Sequence, residues 1–104
     1  MNVRFEYLYR DAGNFKNWGE LVFSNPNNIN VDMLKSIAAN VLIDQAYFVA
    51  NKADVPDLHF KEYNEQLDHG WHEVQSFVPT EEAPNDSRGR SIEEFIESLR
   101  CAVS

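Results

Sequence analysis

The chain has 104 residues, 43% of them hydrophobic and 25% charged, which predicts one folded domain with a single core and excludes wholesale disorder. Seventeen acidic against nine basic residues give a net charge of −8. This charge opposes the electrostatic term that drives most binding to nucleic acids and anionic membranes, so neither is an expected partner. The only cysteine, Cys101, cannot pair within the chain, and the start MNVRFEYLYR lacks the pattern of a signal peptide. A cytoplasmic protein is predicted.

The first 24 residues predict a β-hairpin. Residues 3 to 9, VRFEYLY, alternate between two faces with the period of a half-buried strand. Turn-forming residues follow at 11 to 14, and a second strand-like run, FKNWGELVFS, comes next. Gly19 within that run indicates either a bulge or a place where Trp18 or a neighbouring backbone packs closely.

Two amphipathic helices are predicted. One runs from Val31 to Asp44 with Asn30 as its N-cap, and the other covers residues 92 to 102 behind a capping box of Ser91 and Glu94. Their apolar residues recur at helical spacing and should face the sheet. These residues are Leu34, Ile37, Val41, Phe95, Ile96 and Leu99.

Further short strands are predicted between the helices. AYFVA at 46 to 50 favours a strand, Leu58 and Phe60 suggest another, and residues 71 to 78 form the last, ended by Pro79. The polar run at 79 to 90 predicts a mobile surface loop. The order of these elements predicts a single α+β domain over residues 1 to 104: an antiparallel or mixed sheet, begun by the N-terminal hairpin, with two helices packed on one face.

Three segments resemble a group of small uncharacterised bacterial proteins. They are the hairpin that begins YRDAGNFK, the segment VPDLHF, and the later DHGWHEV. The resemblance implies a bacterial, cytoplasmic origin. It brings no activity and no functional residues to this chain.

The segment DLHFKEYNEQLDHGWHEV, residues 57 to 74, holds all three histidines of the chain and five carboxylates. Imidazoles with a carboxylate suit zinc, nickel or copper, so His59, His69 and His72 are candidate ligands. Asp57, Asp68 or Glu73 could supply a fourth donor. The helical H-E-x-x-H signature of zinc proteases is absent, and a plain connecting loop remains the alternative.

Acidic residues are concentrated in the second half of the chain. Residues 54 to 86 contain nine carboxylates and one basic residue, Lys61, which suggests a docking face for a basic protein partner. The preferred hypothesis is a non-catalytic accessory or interaction protein without a cofactor, which binds an unidentified protein through the hairpin and through Asp57, Glu62, Glu65 and Asp68. The alternative is a divalent-metal-binding protein or metal-dependent hydrolase built on the three histidines. No nucleophile motif such as G-x-S-x-G occurs, and enzymatic activity is left open.

Overall fold

The computed structural model describes residues 1–60 and 70–102. In these two described ranges, four strands and three helices follow one another in an α+β arrangement, as the sequence predicts. In chain order they are β1 (Asn2–Arg10), β2 (Lys16–Phe23), α1 (Val31–Val41), β3 (Tyr47–Phe48), α2 (Ala50–Ala53), β4 (His72–Thr80) and α3 (Ile92–Cys101). Within these described ranges, no helix is long and apolar enough to cross a membrane.

The strands form one antiparallel sheet in the order β2-β1-β4-β3. The predicted hairpin is confirmed: β1 and β2 pair without a break from Val3 opposite Phe23 to Arg10 opposite Lys16. In the turn, Asn14 has a positive φ of 67°, a conformation that asparagine tolerates better than most residues. The hairpin thus places β2 at one edge of the sheet.

The core lies between one face of the sheet, here called the inner face, and the helices. On β1 the inner face carries Val3, Phe5 and Tyr7. The Phe5 ring lies at the centre, 5.3 Å from the Phe77 ring and 4.7 Å from the Phe95 ring of α3. Large aromatic side chains from both the sheet and α3 are buried in this core, and their burial gives the hydrophobic stabilisation that holds the sheet and the helices together.

Helix α3 forms as predicted, and α1 is shorter than predicted. Ser91 and Glu94 make both hydrogen bonds of the capping box. Helix α1 ends at Val41 because Leu42 is already extended, and the prediction that it reaches Asp44 is wrong. The expected inward position of Ile37 is also wrong, since this side chain is 36% exposed. The other five predicted core residues of the two helices are buried or partly buried against the core.

Two predictions about the strands need correction. Strand β4 continues through Pro79 to Thr80 instead of ending at 78. Proline is tolerated there because β3 pairs only with the first two residues of β4, so among the described strands β4 has no second neighbour at Pro79. Residues 58 to 60 do not form a strand. In the 46 to 50 region, only Tyr47 and Phe48 are strand, and α2 follows directly.

Residues 81 to 90 carry side-chain anchors to the rest of the domain. Asn85 exchanges two hydrogen bonds with the backbone of Val22, at 2.8 and 3.0 Å. The buried Arg90 side chain forms an ion pair with Asp86 at 2.9 Å and donates to the carbonyl oxygen of Ala53 at 2.7 Å. The predicted mobility of residues 79 to 90 stays a prediction, and these contacts are what such motion would have to break.

Candidate metal-binding site

A bulge in β4 decides which of its side chains point inward. The pairing with β1 shifts between Glu6 opposite Ser76 and Tyr7 opposite Val74, which leaves Gln75 without a partner. Compared with a regular strand, such an extra residue moves every side chain on one side of it, here residues 72 to 74, to the other face of the sheet. The bulge therefore brings His72 to the inner face, where it is fully buried.

The neighbouring Glu73 faces the opposite side of the sheet. Its carboxylate accepts a hydrogen bond from Arg10 Nε at 3.0 Å. The sequence-based hypothesis that Glu73 completes a histidine cluster therefore does not hold, because strand geometry sends consecutive side chains to opposite faces.

The segment from Pro56 to Phe60 crosses the inner face near this point. Leu58 packs into the space left by Gly19 of β2: a Cβ atom on that glycine would lie 3.0 Å from a Leu58 methyl group. Asn17 of β2 holds the same residue by donating to its carbonyl oxygen at 3.1 Å. The pairing of β1 with β2 has no bulge at Gly19. Close packing does occur there, but the groups that approach are the side chains of Leu58 and Tyr7, and not the predicted Trp18 or a neighbouring backbone.

The crossing segment delivers two polar side chains to His72. Asp57 Oδ1 lies 2.8 Å from His59 Nδ1 and 3.5 Å from His72 Nε2. All three residues offer a donor atom within 4.8 Å of the other two. Two ligands of one tetrahedral zinc ion are separated by about 3.3 Å, given metal–nitrogen distances of about 2.0 Å. The distances around Asp57 bracket this value.

Hydrogen bonds fix the protonation of His72 and the orientation of Asp57. The backbone N–H of Leu58 donates to His72 Nε2 at 2.9 Å, so this nitrogen carries a lone pair and the ring proton is assigned to Nδ1. Asp57 Oδ1 accepts from the backbone N–H of His59 at 2.8 Å. The segment is thereby held in a tight turn that points its carboxylate at both imidazoles.

Two tyrosines of β1 form the wall behind the site. The Tyr9 ring lies edge-on to His59 at 4.4 Å and is 5.3 Å from His72. The Tyr7 hydroxyl donates to the carbonyl oxygen of Pro56 at 2.7 Å. Burial, and then the negative charge of Asp57, raise the pKa of Tyr7 to about 12, so Tyr7 stays a neutral hydrogen-bond donor at neutral pH.

A cleft of about 240 Å³ opens beside the donor atoms. Besides Asp57 and the two histidines, it is lined by Val49, Ala50, Asn51 and Gly70. Its size allows water molecules or a small ligand next to the carboxylate and the imidazoles.

The structure thus brings together three of the residues singled out in the sequence: His59, His72 and Asp57. His69, Asp68, Glu62 and Glu65 lie outside the described residues, and their predicted roles stay predictions. The same holds for hydrolysis by a bound ion. Binding of a basic protein by the acidic residues also stays a prediction, because of its four proposed contact residues only Asp57 is described.

Sequence reasoning missed the bulge and the two tyrosines behind the site. One signal was present: the inward-facing Val74 and Phe77 are three residues apart, whereas a regular strand places inward residues an even number apart. The alternation of residues 3 to 9 puts both tyrosines on the same face of the strand, but only the crossing segment 56–60 shows that they face the histidines.

Comparison of the chain with protein-family models, with curated proteins and with solved structures gives no match. Function is therefore inferred from the geometry of the described residues.

Proposed function

We propose that this protein binds a divalent transition-metal ion through Asp57, His59 and His72. The observation that carries the proposal is the position of Asp57 Oδ1 between two imidazole nitrogens, at 2.8 and 3.5 Å. These three donors come from a crossing segment, held by hydrogen bonds of Leu58 and Asp57, and from a bulged strand paired with β1. Such preorganisation lowers the entropic cost of binding.

The donor set selects the kind of ion. Two imidazoles and one carboxylate suit zinc, and also nickel, copper or ferrous iron, whereas calcium and magnesium prefer oxygen ligands alone. With three protein donors, a tetrahedral ion has one coordination position left for water or for another side chain. His69 and Asp68 stay candidates for that position on the strength of their place in the sequence.

Binding would exchange existing contacts for metal bonds. The lone pair of His72 Nε2 would pass from the Leu58 N–H to the ion. For His59 to bind through Nδ1, any proton between Nδ1 and Asp57 would have to leave that nitrogen, either for Nε2 of the same ring or for solvent. Because each ligand must be deprotonated, metal affinity should fall as the pH is lowered. The aromatic wall of Tyr7 and Tyr9 limits access of water from the core side and keeps the donors in place.

Metal titration of tag-free protein tests the proposal. Protein freed of metal by chelation is titrated with zinc by calorimetry and with cobalt by visible absorption, which reports tetrahedral coordination. We expect one ion per chain and a rise in melting temperature. At a free zinc concentration 100 times Kd, the stabilisation should be about 2.7 kcal/mol.

A matched pair of variants locates the site. Asp57→Asn should weaken zinc binding at least about tenfold, the lower limit seen when even an outer-shell partner is lost. Asp54→Asn removes an exposed carboxylate three residues away, paired with Arg88, and should leave affinity unchanged. His72→Ala should abolish binding, and His69→Ala tests the fourth position. Wild-type protein that takes up no zinc, or equal affinity in both aspartate variants, would contradict the proposal.

A further inference from the structure

The outer edge of β2 is the feature that points to a partner. The backbone groups of Val22 point away from β1, since both are bonded to Asn85. Alternate residues of a strand present their backbone on the same side, so Lys16, Trp18 and Glu20 also point outward. Among residues 1–60 and 70–102, nothing accepts or donates a hydrogen bond at these six backbone groups.

We infer that a second copy of this chain pairs with this edge, antiparallel and centred on Trp18. In that register, Lys16 of one copy lies opposite Glu20 of the other, twice, and the two Trp18 residues lie opposite each other. Each of the three pairs exchanges two backbone hydrogen bonds, six in all. A two-fold axis requires the surface to complement itself, and the order lysine, tryptophan, glutamate does so.

The ends of the accessible edge fix this register. Asn85 already occupies Val22, and on the other side the strand ends at the hairpin turn, where Asn14 has a positive φ. Centring on Trp18 uses all three free residues of each copy. A shift by two residues in either direction would leave two pairs instead of three. It would also place Trp18 opposite Lys16 or Glu20, so that neither charge would face its opposite.

Charge and apolar exposure support a copy of this chain as the occupant. Glu6 and Glu20 lie directly opposite each other on β1 and β2, and they share Arg4, whose Nε is 3.1 and 3.6 Å from their carboxylates. Lys16 from the second copy would give Glu20 a cation of its own. Trp18 is 55% exposed, and the indole of the second copy, lying directly opposite across the edge, would cover part of this exposed apolar surface.

The assembly would join two four-stranded sheets into one of eight strands. The paired segment is short, so the contact should be weak, with dissociation between about 10 μM and 1 mM. The candidate metal site lies on the inner face around His72, and the inference does not depend on it: Asp57→Asn should dimerise like the wild type.

Charge reversal tests the pairing. Sedimentation is measured from about 10 μM to 1 mM, with circular dichroism to verify folding of each variant. Lys16→Glu and Glu20→Lys should each weaken dimerisation at least about tenfold, because like charges then face each other. The double variant exchanges the two charges and should restore the dimer. In a Trp71→Phe background, Trp18 is the only tryptophan, and its emission should shift to the blue as the dimer forms.

Three results would overturn the inference. One is a wild-type protein that stays monomeric over the whole concentration range. Another is a dimer that neither single reversal weakens, which would place the contact elsewhere. The third is a folded double variant that stays monomeric, which would show that Lys16 and Glu20 do not face each other across the contact.

Discussion

Two polar clusters lie against the same aromatic core, and they differ in how their charges are matched. The first consists of Arg90 and Asp86 and is closed: the guanidinium donates to both carboxylate oxygens and to the carbonyl oxygens of Ala53 and Asp54, at 2.7 to 2.9 Å. The Phe23 and Phe95 rings flank it at 5.7 and 5.2 Å. The second cluster is Asp57, His59 and His72.

The difference lies in the balance of donors and acceptors. A guanidinium brings donors only, and the first cluster meets them with carboxylate and carbonyl acceptors, so charge and hydrogen bonds are satisfied inside the fold. The second cluster gathers a carboxylate and two imidazoles, which are groups whose lone pairs can bind a cation. A closed pair of the first kind serves the structure, and a group of the second kind suits binding.

The largest effect is expected from opening the closed cluster. Arg90→Ala should lower the free energy of unfolding by about 3 to 5 kcal/mol, because it leaves the buried Asp86 carboxylate without its partner. Urea denaturation measures this loss. The matched control is Arg88→Ala: its ion pair with Asp54 has side chains 58% and 57% exposed, and its loss should cost at most about 1 kcal/mol.

The closed cluster should also make the stability of the protein depend on acid pH, through Asp86. Hydrogen bonds from Arg90 hold the pKa of Asp86 below its ordinary value. A carboxyl group with a lowered folded-state pKa stabilises the fold above its unfolded pKa, about 3.9, and this contribution is lost as the pH falls through the folded value. Asp86→Asn should therefore remove part of the acid sensitivity below about pH 4. Two results would contradict this difference between the clusters. One is an equal loss of unfolding free energy in Arg90→Ala and Arg88→Ala. The other is an Asp86→Asn variant whose stability falls with acid as steeply as that of the wild type.

The next effect concerns Tyr7, at the back of the second cluster. Its pKa is raised to about 12 by burial and by Asp57. The stability that comes from keeping it neutral is present below pH 10 and is lost as the pH rises toward 12, about 2 to 3 kcal/mol for two pH units. Tyr7→Phe should lose this alkaline dependence, as measured by unfolding at pH 9 to 12. If the pKa of Tyr7 is instead near its ordinary value of about 10, the Tyr7 hydroxyl is in contact with water, and the tyrosine does not close off the back of the site.

The smallest effect should come from the residue that follows Arg90. Ser91→Ala removes the N-cap of α3 and should cost about 1 kcal/mol. The expected loss is well below that of Arg90→Ala and should be independent of zinc. Thermal unfolding with and without zinc measures both points. A cost as large as that of Arg90→Ala would mean that the ion pair acts mainly by holding the start of this helix.

Much of the fold was predictable because local signals agree with the final structure. The hairpin follows from alternation and turn residues, and α3 follows from its capping box and apolar spacing. Helix α1 was predicted too long because apolar spacing continues through Leu42, whereas Asp44 and Gln45 take positive φ values of 48° and 64°. The spacing of apolar residues carries no information about where the chain leaves the helix to make this turn.

The candidate site was only partly predictable for a similar reason. Histidine and carboxylate content singled out the right stretch of chain, but the residues that meet depend on the bulge and on where segment 56–60 crosses the sheet. Leu58 alternates like a strand residue, yet its N–H bonds to His72 instead of to a neighbouring strand. Side-chain acceptors that replace a strand partner leave no periodic signal in the sequence.

Gln75 matters because it stands outside the pairing of β4 with β1, and not through its chemistry. Its side chain is exposed, so many residues could replace it at little cost. Removing the position altogether would join Val74 to Ser76, which is the pairing with Tyr7 and Glu6 that the bulge already produces, so His72 would stay on the inner face. The inward histidine would be lost only if Gln75 paired with Tyr7 in a regular strand, because residues 72 to 74 would then change faces. A related gene with a gap at this position would therefore keep the inward histidine without the bulge, so descent of the site is traced by the pairing of β4 with β1 and not by the length of β4.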